Sequence, residues 1–240
     1  MADPMSLPSV VVVTGTSTGV GKTVATAALT VMVRRRGARV AVVKPAQTGV
    51  LPGEPGDLDE VCRLVGDDAQ VTYREFVRLP DPLAPSAAAR RIGVTLDPIA
   101  LRAKDIRALA GDHDVVIVEG AGGLLVELDS RGGTLADLAV ALRYQGTSVG
   151  AVIVAAPGLG TLNHTALTAQ ALQQRGIPVI GVLVGTWPQP PDTPDLAMQE
   201  NLADLPRAAG APLLGILPDG AGRLDAGAFA ASAHERLSIS

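Results

Sequence analysis

Residues Ser9–Thr23 read SVVVVTGTSTGVGKT and contain the strongest structural signal in the chain. Val10–Val13 is typical of a strand buried on both faces, as in a parallel sheet. The glycines that follow let backbone N–H groups converge on phosphate oxygens. In such a loop Lys22 reaches the β- and γ-phosphates, and the Thr23 hydroxyl lies on Mg²⁺ at a helix N-terminus. The stretch therefore predicts a phosphate-binding loop.

The spacing of this loop differs in one respect from the usual G-x-x-x-x-G-K-[ST] pattern. Five residues separate Gly15 from Gly21 where the pattern has four, so Thr16 occupies the usual first-glycine position. A Gly/Thr-rich turn that binds no ligand is the alternative. The order of strand, loop, Gly-Lys-Thr and helical segment favours phosphate binding.

The composition limits the class of protein. A chain of 240 residues is long enough for one large α/β domain or two small ones. The net charge of −4 argues against a general nucleic-acid-binding surface. The single cysteine, Cys62, excludes an intramolecular disulfide framework and a cysteine-built zinc site, and it indicates a reducing cytoplasm.

The N-terminus has neither the basic nor the apolar part of a signal peptide, and no apolar run is long enough to span a bilayer. We therefore expect a cytoplasmic protein with no membrane partner. Residues 1–8 contain two prolines and a second methionine, and we expect them to form a flexible extension before a domain over residues 9–240.

Apolar runs alternate with helical patterns along the chain, which predicts a single α/β domain with a parallel sheet covered by helices on both faces. Predicted strands are Val10–Val13, Arg39–Val43, Val71–Phe76 (weak), Val115–Val118, Val149–Ala155, Val179–Val184 and Leu213–Leu217. Predicted helices are Lys22–Arg36, Asp57–Val65, Pro85–Arg91 (short), Pro98–Ala110, Leu135–Arg143, Thr161–Arg175, Asp195–Ala209 and Asp225–Arg236.

Polar, glycine-rich segments follow the apolar strands. They are TGTSTGVGKT, KPAQTG, EGAGG, APGLGTLNH, GTWPQPP and PDGAG. In an open parallel sheet these segments lie along the carboxyl edge, where ligands bind. We therefore expect six loops to meet at one edge of the sheet.

Lys44 ends the second strand, and Pro45 keeps the backbone of Lys44 extended, so its side chain can project over the sheet edge. Beside a phosphate loop it offers a second cation for a transferring phosphoryl group, although a surface lysine is the simpler interpretation.

Glu119 follows a buried strand, as does the second acidic group that phosphate-loop enzymes place near Mg²⁺; a plain strand-ending glutamate is the alternative. Asp57 opens a helix, and its default role is a first-turn charge. Spacing alone does not decide between Asp57 and Asp59 as a ligand.

Two further positions allow two interpretations each. Asn163 and His164 begin a helix, where Asn163 either caps the helix or helps its N-terminus receive a ligand carboxylate. Trp187 either packs on a base or anchors its proline-rich loop.

The segments TGTSTGVGKT, KPAQTG, Asp57-Leu58, VEGAGGLLVEL, LGTLNHTALT and APLLGILP together resemble the ATP-dependent dethiobiotin synthetases of biotin synthesis. They extend from Thr14 to Pro218. The phosphate loop alone is shared with many NTPases, but the combination is far more specific.

The resemblance implies a homodimeric, Mg²⁺-dependent ligase of the P-loop NTPase type with about seven parallel strands. Such enzymes convert 7,8-diaminopelargonic acid, CO₂ and ATP to dethiobiotin, ADP and phosphate. One substrate amine becomes a carbamate, the carbamate is phosphorylated, and the second amine closes the cyclic urea.

The resemblance also implies roles for individual residues. Lys44 and Lys22 are the implied catalytic residues, and Thr23, Asp57 and Glu119 the implied metal ligands. Implied substrate contacts are Thr18, Lys44, Thr48, and, across the dimer interface, Gly160, Thr161 and Asn163. Implied nucleotide contacts are Gly19, Val20, Gly21, Lys22, Thr23, Val24, Asp57, Glu119, Gly120, Ala121, Gly122, Gly185, Thr186, Leu217, Pro218 and Asp219.

The chain departs from some relatives at two places. Gly185-Thr186 stand where those relatives have Asn-Asp, which can read the edge of adenine, and Gly19 replaces an acidic residue. We therefore expect weak discrimination between ATP and other nucleoside triphosphates.

Two other functions are compatible with the phosphate loop. One is a P-loop ligase acting on another carboxylate or amide. The other is a partitioning-type switch ATPase, but those usually have K-G-G-x-G-K-T, and Thr16–Thr18 occupies the region of their early lysine.

Overall fold

The computed structural model describes residues 7–238. Its nine strands are β1 (Val10–Gly15), β2 (Val40–Lys44), β3 (Gln47–Thr48), β4 (Val71–Glu75), β5 (Arg78–Leu79), β6 (Val115–Gly123), β7 (Val149–Ala155), β8 (Val179–Trp187) and β9 (Leu213–Pro218). Its helices are α1 (Lys22–Arg34), α2 (Asp57–Val65), α3 (Pro85–Arg91), α4 (Ile99–Asp112), α5 (Leu135–Tyr144), α6 (Thr161–Gln174), α7 (Leu196–Ala209) and α8 (Ala226–Arg236), with a 3₁₀ turn at Ala221–Arg223.

Seven strands form one parallel sheet in the order β4-β2-β6-β1-β7-β8-β9. β1 is central and completely buried, as its valine run predicts. Because side chains alternate along a strand, Val11 and Val13 enter one core and Val10 and Val12 the other. Helices α1, α2 and α8 cover the first core, and α4 to α7 cover the second. The predicted α/β sheet with helices on both faces is confirmed.

Several predicted element boundaries were wrong by a few residues. β6 and β8 continue into their glycine-rich ends, because Gly123 still pairs opposite Gly15 and Trp187 opposite Pro218. Helix α7 begins one residue later than predicted, since Asp195 is its N-cap and accepts a hydrogen bond from the Met198 N–H at 2.7 Å.

The small parallel ladder of β3 and β5 was not predicted. Each strand has only two residues, too few for periodicity to reveal. The ladder nevertheless matters for the site, since it carries Thr48 beside the end of β2.

Most of the predicted N-terminal extension lies outside the described residues. Its last two residues, Leu7 and Pro8, are half-buried, and Leu7 packs against the first core. Within residues 7–238 no helix is both long and apolar enough to cross a membrane.

Candidate active site

The loop between β1 and α1 has the backbone of an anion-binding turn. Gly19 and Gly21 adopt positive φ values of 76° and 91°, which side chains with a Cβ rarely tolerate. Gly21 is the N-cap of α1, so the positive end of that helix faces the loop. Lys22 is buried, and its Nζ donates to the Ser17 carbonyl at 3.1 Å. The backbone thus has the conformation expected of a cradle for phosphate oxygens.

The phosphate loop also packs directly on the end of β8. A Cβ placed on Gly21 would lie 2.7 Å from the Gly185 carbonyl oxygen, and a Cβ on Gly185 would overlap the Val20 carbonyl oxygen. Close backbone approach therefore requires glycine at both Gly21 and Gly185. Gly19 is different, because a Cβ there meets nothing within 4 Å.

The central feature of the site is a buried lysine held by two carboxylates. Lys44 is only 3% exposed, and its Nζ lies 2.5 Å from Asp57 Oδ2 and 2.8 Å from Glu119 Oε1. It also donates to the Gly120 carbonyl at 3.2 Å. The register between β2 and β6 aligns Val43 with Val118, so Lys44 and Glu119 follow as neighbours. Lys44 is thus not a surface lysine.

The two lysines of the site respond oppositely to their surroundings. Burial disfavours the Lys44 ammonium, but the carboxylates of Glu119 and Asp57 outweigh this effect and raise the Lys44 pKa above its ordinary value. Burial, and then the positive charge of Lys44, lower the pKa of Lys22. The positive charge of Lys44 is thus offset within the cluster, whereas a bound anion such as a phosphate would favour the charged form of Lys22.

Thr23, Asp57 and Glu119 form a donor set suited to Mg²⁺. The Thr23 hydroxyl donates to Glu119 Oε1 at 3.0 Å. Glu119 is fully buried, and within residues 7–238 its second oxygen, Oε2, has no hydrogen-bond partner. A buried carboxylate oxygen without a donor fits a cation ligand. The described residues contain no cluster of three or more His, Cys, Asp or Glu suited to a metal, so phosphate and water oxygens would complete the coordination, as is usual for Mg²⁺.

The choice between Asp57 and Asp59 follows from where their carboxylates lie. Asp57 contacts Lys44, whereas Asp59 accepts a hydrogen bond from the Gly56 N–H at 2.6 Å and lies 3.6 Å from Arg78. Asp59 therefore caps α2 instead of facing the cluster.

A cavity of about 730 Å³ opens above this cluster. Of the predicted site residues, it is lined by Thr18, Gly19, Gly21, Lys22, Thr23, Val24, Lys44, Thr48, Asp57, Glu119, Ala121 and Gly122. Val20 and Gly120 do not line it. Val20 packs in the first core, and Gly120 lies in β6, where an added Cβ would meet Leu135.

One wall of the cavity was missed by the sequence interpretation. It is apolar and consists of Pro82, Leu83, Ala84, Pro85 and Val126. The first four belong to the segment that leads from β5 into α3, and its sequence pattern indicates only a proline-rich loop. The pairing of β3 with β5 brings this segment beside Gly49, whose N–H donates to the Asp81 carbonyl at 3.1 Å, and this contact reveals its place in the site.

Gln47 was also missed. It is 4% exposed, lines the cavity and accepts a hydrogen bond from the Asp57 N–H at 2.8 Å. Its position between Lys44 and Thr48 in KPAQTG was the available signal.

Gly160, Thr161 and Asn163 lie apart from this cavity, at the start of α6. Gly160 is the N-cap, so the expectation that Asn163 caps the helix was wrong. Thr161 is buried. The backbone N–H groups of Leu162 and Asn163 lie in the first turn of α6 and therefore have no acceptor within the helix.

Gly185, Thr186, Leu217, Pro218 and Asp219 lie at the ends of β8 and β9, on the far side of the phosphate loop from the cavity. Half-buried Trp187 pairs with Pro218 and packs against the second core. Its carbonyl also accepts from the Asp219 N–H at 2.6 Å. These contacts support the anchor interpretation of Trp187.

Solved structures with a similar fold include the cell division ATPase MinD of Pyrococcus furiosus, with a TM-score of 0.56 and 20% identity over 95% of this chain and 98% of that chain. The signal recognition particle 54 kDa protein of Aeropyrum pernix gives a TM-score of 0.53 and 19% identity, over 90% of this chain and 42% of that chain. At such identities the likeness shows the fold alone.

Proteins found by sequence comparison are much more similar to this chain than these solved structures are. Residues 9–222 match the family model described as an AAA domain. The ATP-dependent dethiobiotin synthetase BioD of Rhodococcus jostii is 53% identical over 225 residues, covering 94% of this chain and 93% of the relative. The enzyme of the same name from Saccharopolyspora erythraea is 55% identical over 213 residues, covering 89% and 88%. With a complete phosphate loop, a buried lysine–carboxylate cluster and this identity over nearly the whole length, the chain belongs to the ATP-dependent dethiobiotin synthetase family.

Proposed function

We propose that this protein converts 7,8-diaminopelargonic acid, CO₂ and ATP to dethiobiotin, ADP and phosphate. The observation that carries the proposal is the contact of Lys44 with Asp57 and Glu119 at the base of a cavity that the phosphate loop also lines. A site for phosphoryl transfer needs a nucleotide cradle, a metal site and additional positive charge at one point, and these residues provide all three.

The proposed reaction balances in three steps. A neutral substrate amine attacks the carbon of CO₂, an N–C bond forms, and a proton leaves to solvent. A carbamate oxygen then attacks the γ-phosphorus, and the bond between that phosphorus and the β–γ bridging oxygen breaks as ADP leaves. The second amine attacks the carbamoyl carbon, phosphate departs with the bonding pair, and the cyclic urea closes with loss of a proton.

Positive charge is the main requirement of the second step, because an anionic carbamate approaches an anionic phosphate. Lys22 would neutralise the phosphates in the bound nucleotide. Lys44 would stabilise the charge that develops between carbamate and γ-phosphate. No general base is needed for this step, since a carbamate is already ionised.

Thr23, Asp57 and Glu119 would hold Mg²⁺, which when bound supplies positive charge beside the phosphate oxygens. The unpartnered Oε2 of Glu119 supports this assignment. The other residues we assign to the nucleotide are Gly19, Val20, Gly21, Lys22, Val24, Gly120, Ala121, Gly122, Gly185, Thr186, Leu217, Pro218 and Asp219.

Thr18 and Thr48 would contact the polar end of the diamine, and their place in the cavity lining beside Lys44 supports this assignment. The apolar wall of Pro82–Pro85 and Val126 suits the methylene chain of the substrate. The substrate carboxylate would reach the free N–H groups at the start of α6, with Gly160, Thr161 and Asn163, in a second copy of the chain. We therefore propose a homodimer with sites built from both subunits.

We also propose that the protein acts in the cytoplasm. Its single cysteine, Cys62, is exposed and unpaired, which suits a reducing compartment.

Phosphate release measured with and without 7,8-diaminopelargonate and bicarbonate tests the proposal. We expect release only when both are present, with one dethiobiotin formed per phosphate. Sustained phosphate release that is independent of the diamine would instead indicate a switch ATPase. Dependence on a different carboxylate or amide would indicate another ligase.

A further inference from the structure

Helix α2 has no side chain at its N-cap position to accept hydrogen bonds from the N–H groups of its first turn. Its N-cap is Gly56, whose missing side chain leaves first-turn N–H groups in need of acceptors. Asp59 satisfies the N–H of Gly56 itself. The N–H of Asp57 is satisfied from another segment, by Oε1 of Gln47, ten residues earlier in the chain.

Gln47 is itself fixed in place. Its side chain is 4% exposed, its Nε2 donates to the Thr48 carbonyl at 3.2 Å, and its backbone N–H donates to the Val77 carbonyl at 2.9 Å. A Cβ on Gly56 would lie 2.9 Å from Gln47 Oε1, so the close approach of this side chain to the helix end requires the glycine. Gln47 thus links strand β3 to the start of α2 through hydrogen bonds on both sides.

This bond acts at the residue that carries the candidate metal ligand. The Asp57 side chain is 33% exposed, and within the described residues its carboxylate is held by Lys44. If the start of α2 rotated by a fraction of a turn, the Asp57 carboxylate would turn away from Lys44, and another part of the helix surface would face the cluster. Gln47 anchors the Asp57 backbone against such a shift.

We infer that Gln47 is a positioning residue that holds the first turn of α2 so that the Asp57 carboxylate faces the metal position beside Lys44 and Glu119. The inference rests on the metal site of the proposed function. It also explains why Asp57 and not Asp59 faces Lys44. Gln47 holds the backbone N–H of Asp57, whereas the Asp59 carboxylate is engaged by the Gly56 N–H.

The main test replaces Gln47 by methionine, which keeps the length of the side chain and removes both hydrogen bonds. Mn²⁺ titration followed by electron paramagnetic resonance, with a non-hydrolysable ATP analogue present, measures metal affinity without requiring turnover. We expect Gln47→Met to weaken Mn²⁺ binding about tenfold, the lower end of the range for loss of a group that orients a metal ligand. Gln47→Glu keeps the acceptor and should bind Mn²⁺ at least as tightly as the wild type.

A double-mutant cycle with Asp57→Asn separates positioning from a general loss of structure. If Gln47 acts through Asp57, adding Gln47→Met to Asp57→Asn should weaken Mn²⁺ binding no further. Gln199→Met serves as a matched control, because Gln199 also donates to a backbone carbonyl near a helix start, that of Pro194, but lies on an exposed surface.

Wild-type Mn²⁺ affinity in Gln47→Met, or additive losses in the cycle, would overturn the inference. Thermal unfolding shows whether Gln47→Met is folded. If it is not, the Gln47→Glu variant provides the test, and weaker Mn²⁺ binding by Gln47→Glu than by the wild type would contradict the inference. The failure of the proposed reaction is seen separately, as absent diamine-dependent turnover in a wild-type chain that still binds the metal.

Discussion

At the scale of single residues, the site depends on charges that would be costly to bury alone. Lys44 and Glu119 are almost fully buried, and each makes the burial of the other tolerable. Removing the Lys44 ammonium would leave Glu119 and Asp57 facing each other, at a cost on the order of 3 kcal/mol of folding free energy. The stability of every variant in this cluster therefore needs measurement before its activity is interpreted.

Replacing the two lysines should affect different kinetic constants. Lys22→Ala should weaken nucleotide binding, because Lys22 contacts the phosphates in the ground state. Lys44→Ala should lower kcat on the order of a hundredfold with nucleotide binding less affected, since Lys44 acts mainly as charge develops. Steady-state kinetics and calorimetric nucleotide titration measure both. Near-wild-type turnover in Lys44→Ala would remove Lys44 from the mechanism.

The three acidic residues should differ in their effect on the Mg²⁺ requirement. Glu119→Gln and Asp57→Asn each remove an anionic oxygen ligand and should raise the Mg²⁺ concentration for half-maximal rate about tenfold. Asp59→Asn should leave that concentration unchanged and cost only about 0.5 kcal/mol of stability, because asparagine keeps an acceptor for the Gly56 N–H and loses only the favourable charge at the start of α2. Equal metal effects from Asp57→Asn and Asp59→Asn would contradict the assignment.

At the scale of elements, the candidate site residues lie at the carboxyl ends of neighbouring parallel strands. The ends of β1, β2 and β6 supply the phosphate loop, Lys44 and Glu119, and these strands are neighbours in the sheet. The ends of β8 and β9 lie beyond the phosphate loop and approach its backbone through Gly185. The nucleotide base would meet backbone and threonine there instead of an Asn-Asp pair.

Weak base selectivity is the corresponding prediction. Phosphates and Mg²⁺ are common to all nucleoside triphosphates, so discrimination should fall to ~1–2 kcal/mol, and CTP, GTP and UTP should support turnover within roughly 30-fold of ATP. Measuring kcat/KM for the four nucleotides tests this. An ATP preference above about a thousandfold would mean that other groups, such as the backbone near Pro218 and Asp219, read the base.

The structure also changes how base recognition can be tested by mutation. The sequence comparison suggests restoring the Asn-Asp pair with Gly185→Asn and Thr186→Asp. A side chain at Gly185 would overlap the Val20 carbonyl and displace the phosphate loop. We therefore expect Thr186→Asp alone to be the informative variant and Gly185→Asn to reduce the binding of all four nucleotides.

Much of this arrangement could be predicted from the sequence, for a physical reason. The runs Val10–Val13 and Val40–Val43 are apolar on both faces and alternate with helical segments, as in a covered parallel sheet, and such a sheet brings the loops after its strands to one edge. Lys44 and Glu119 were found because they end such runs. The contacts of Gln47 and the apolar wall at Pro82–Pro85 were not, since they depend on how irregular segments fold back across the edge, and periodicity carries no signal for that.

At the scale of the whole molecule, the start of α6 does not line the main cavity. In the proposed homodimer, the start of α6 in one chain would complete the cavity of the other. Leu159 is 92% exposed and immediately precedes the N-cap Gly160. In the proposed homodimer, a second copy of the chain would cover this side chain.

Mixed dimers test the shared site. Asn163→Ala should raise the KM of the diamine more than that of the nucleotide. A heterodimer of one Asn163→Ala chain and one Lys44→Ala chain should regain one intact site of two, and at limiting diamine it should turn over faster than either parent homodimer. Strict absence of recovery in a verified heterodimer would show that each site is built within one chain.

The most direct test of the phosphorylated carbamate follows oxygen from CO₂ into phosphate. With C¹⁸O₂, a carbamate oxygen that attacks the γ-phosphorus leaves with the phosphate when the ring closes, and the other stays in the cyclic urea. Mass spectrometry of the products, collected before CO₂ exchanges its oxygens with water, should find one ¹⁸O in each released phosphate and one in dethiobiotin. Dethiobiotin formation with unlabelled phosphate would contradict the account.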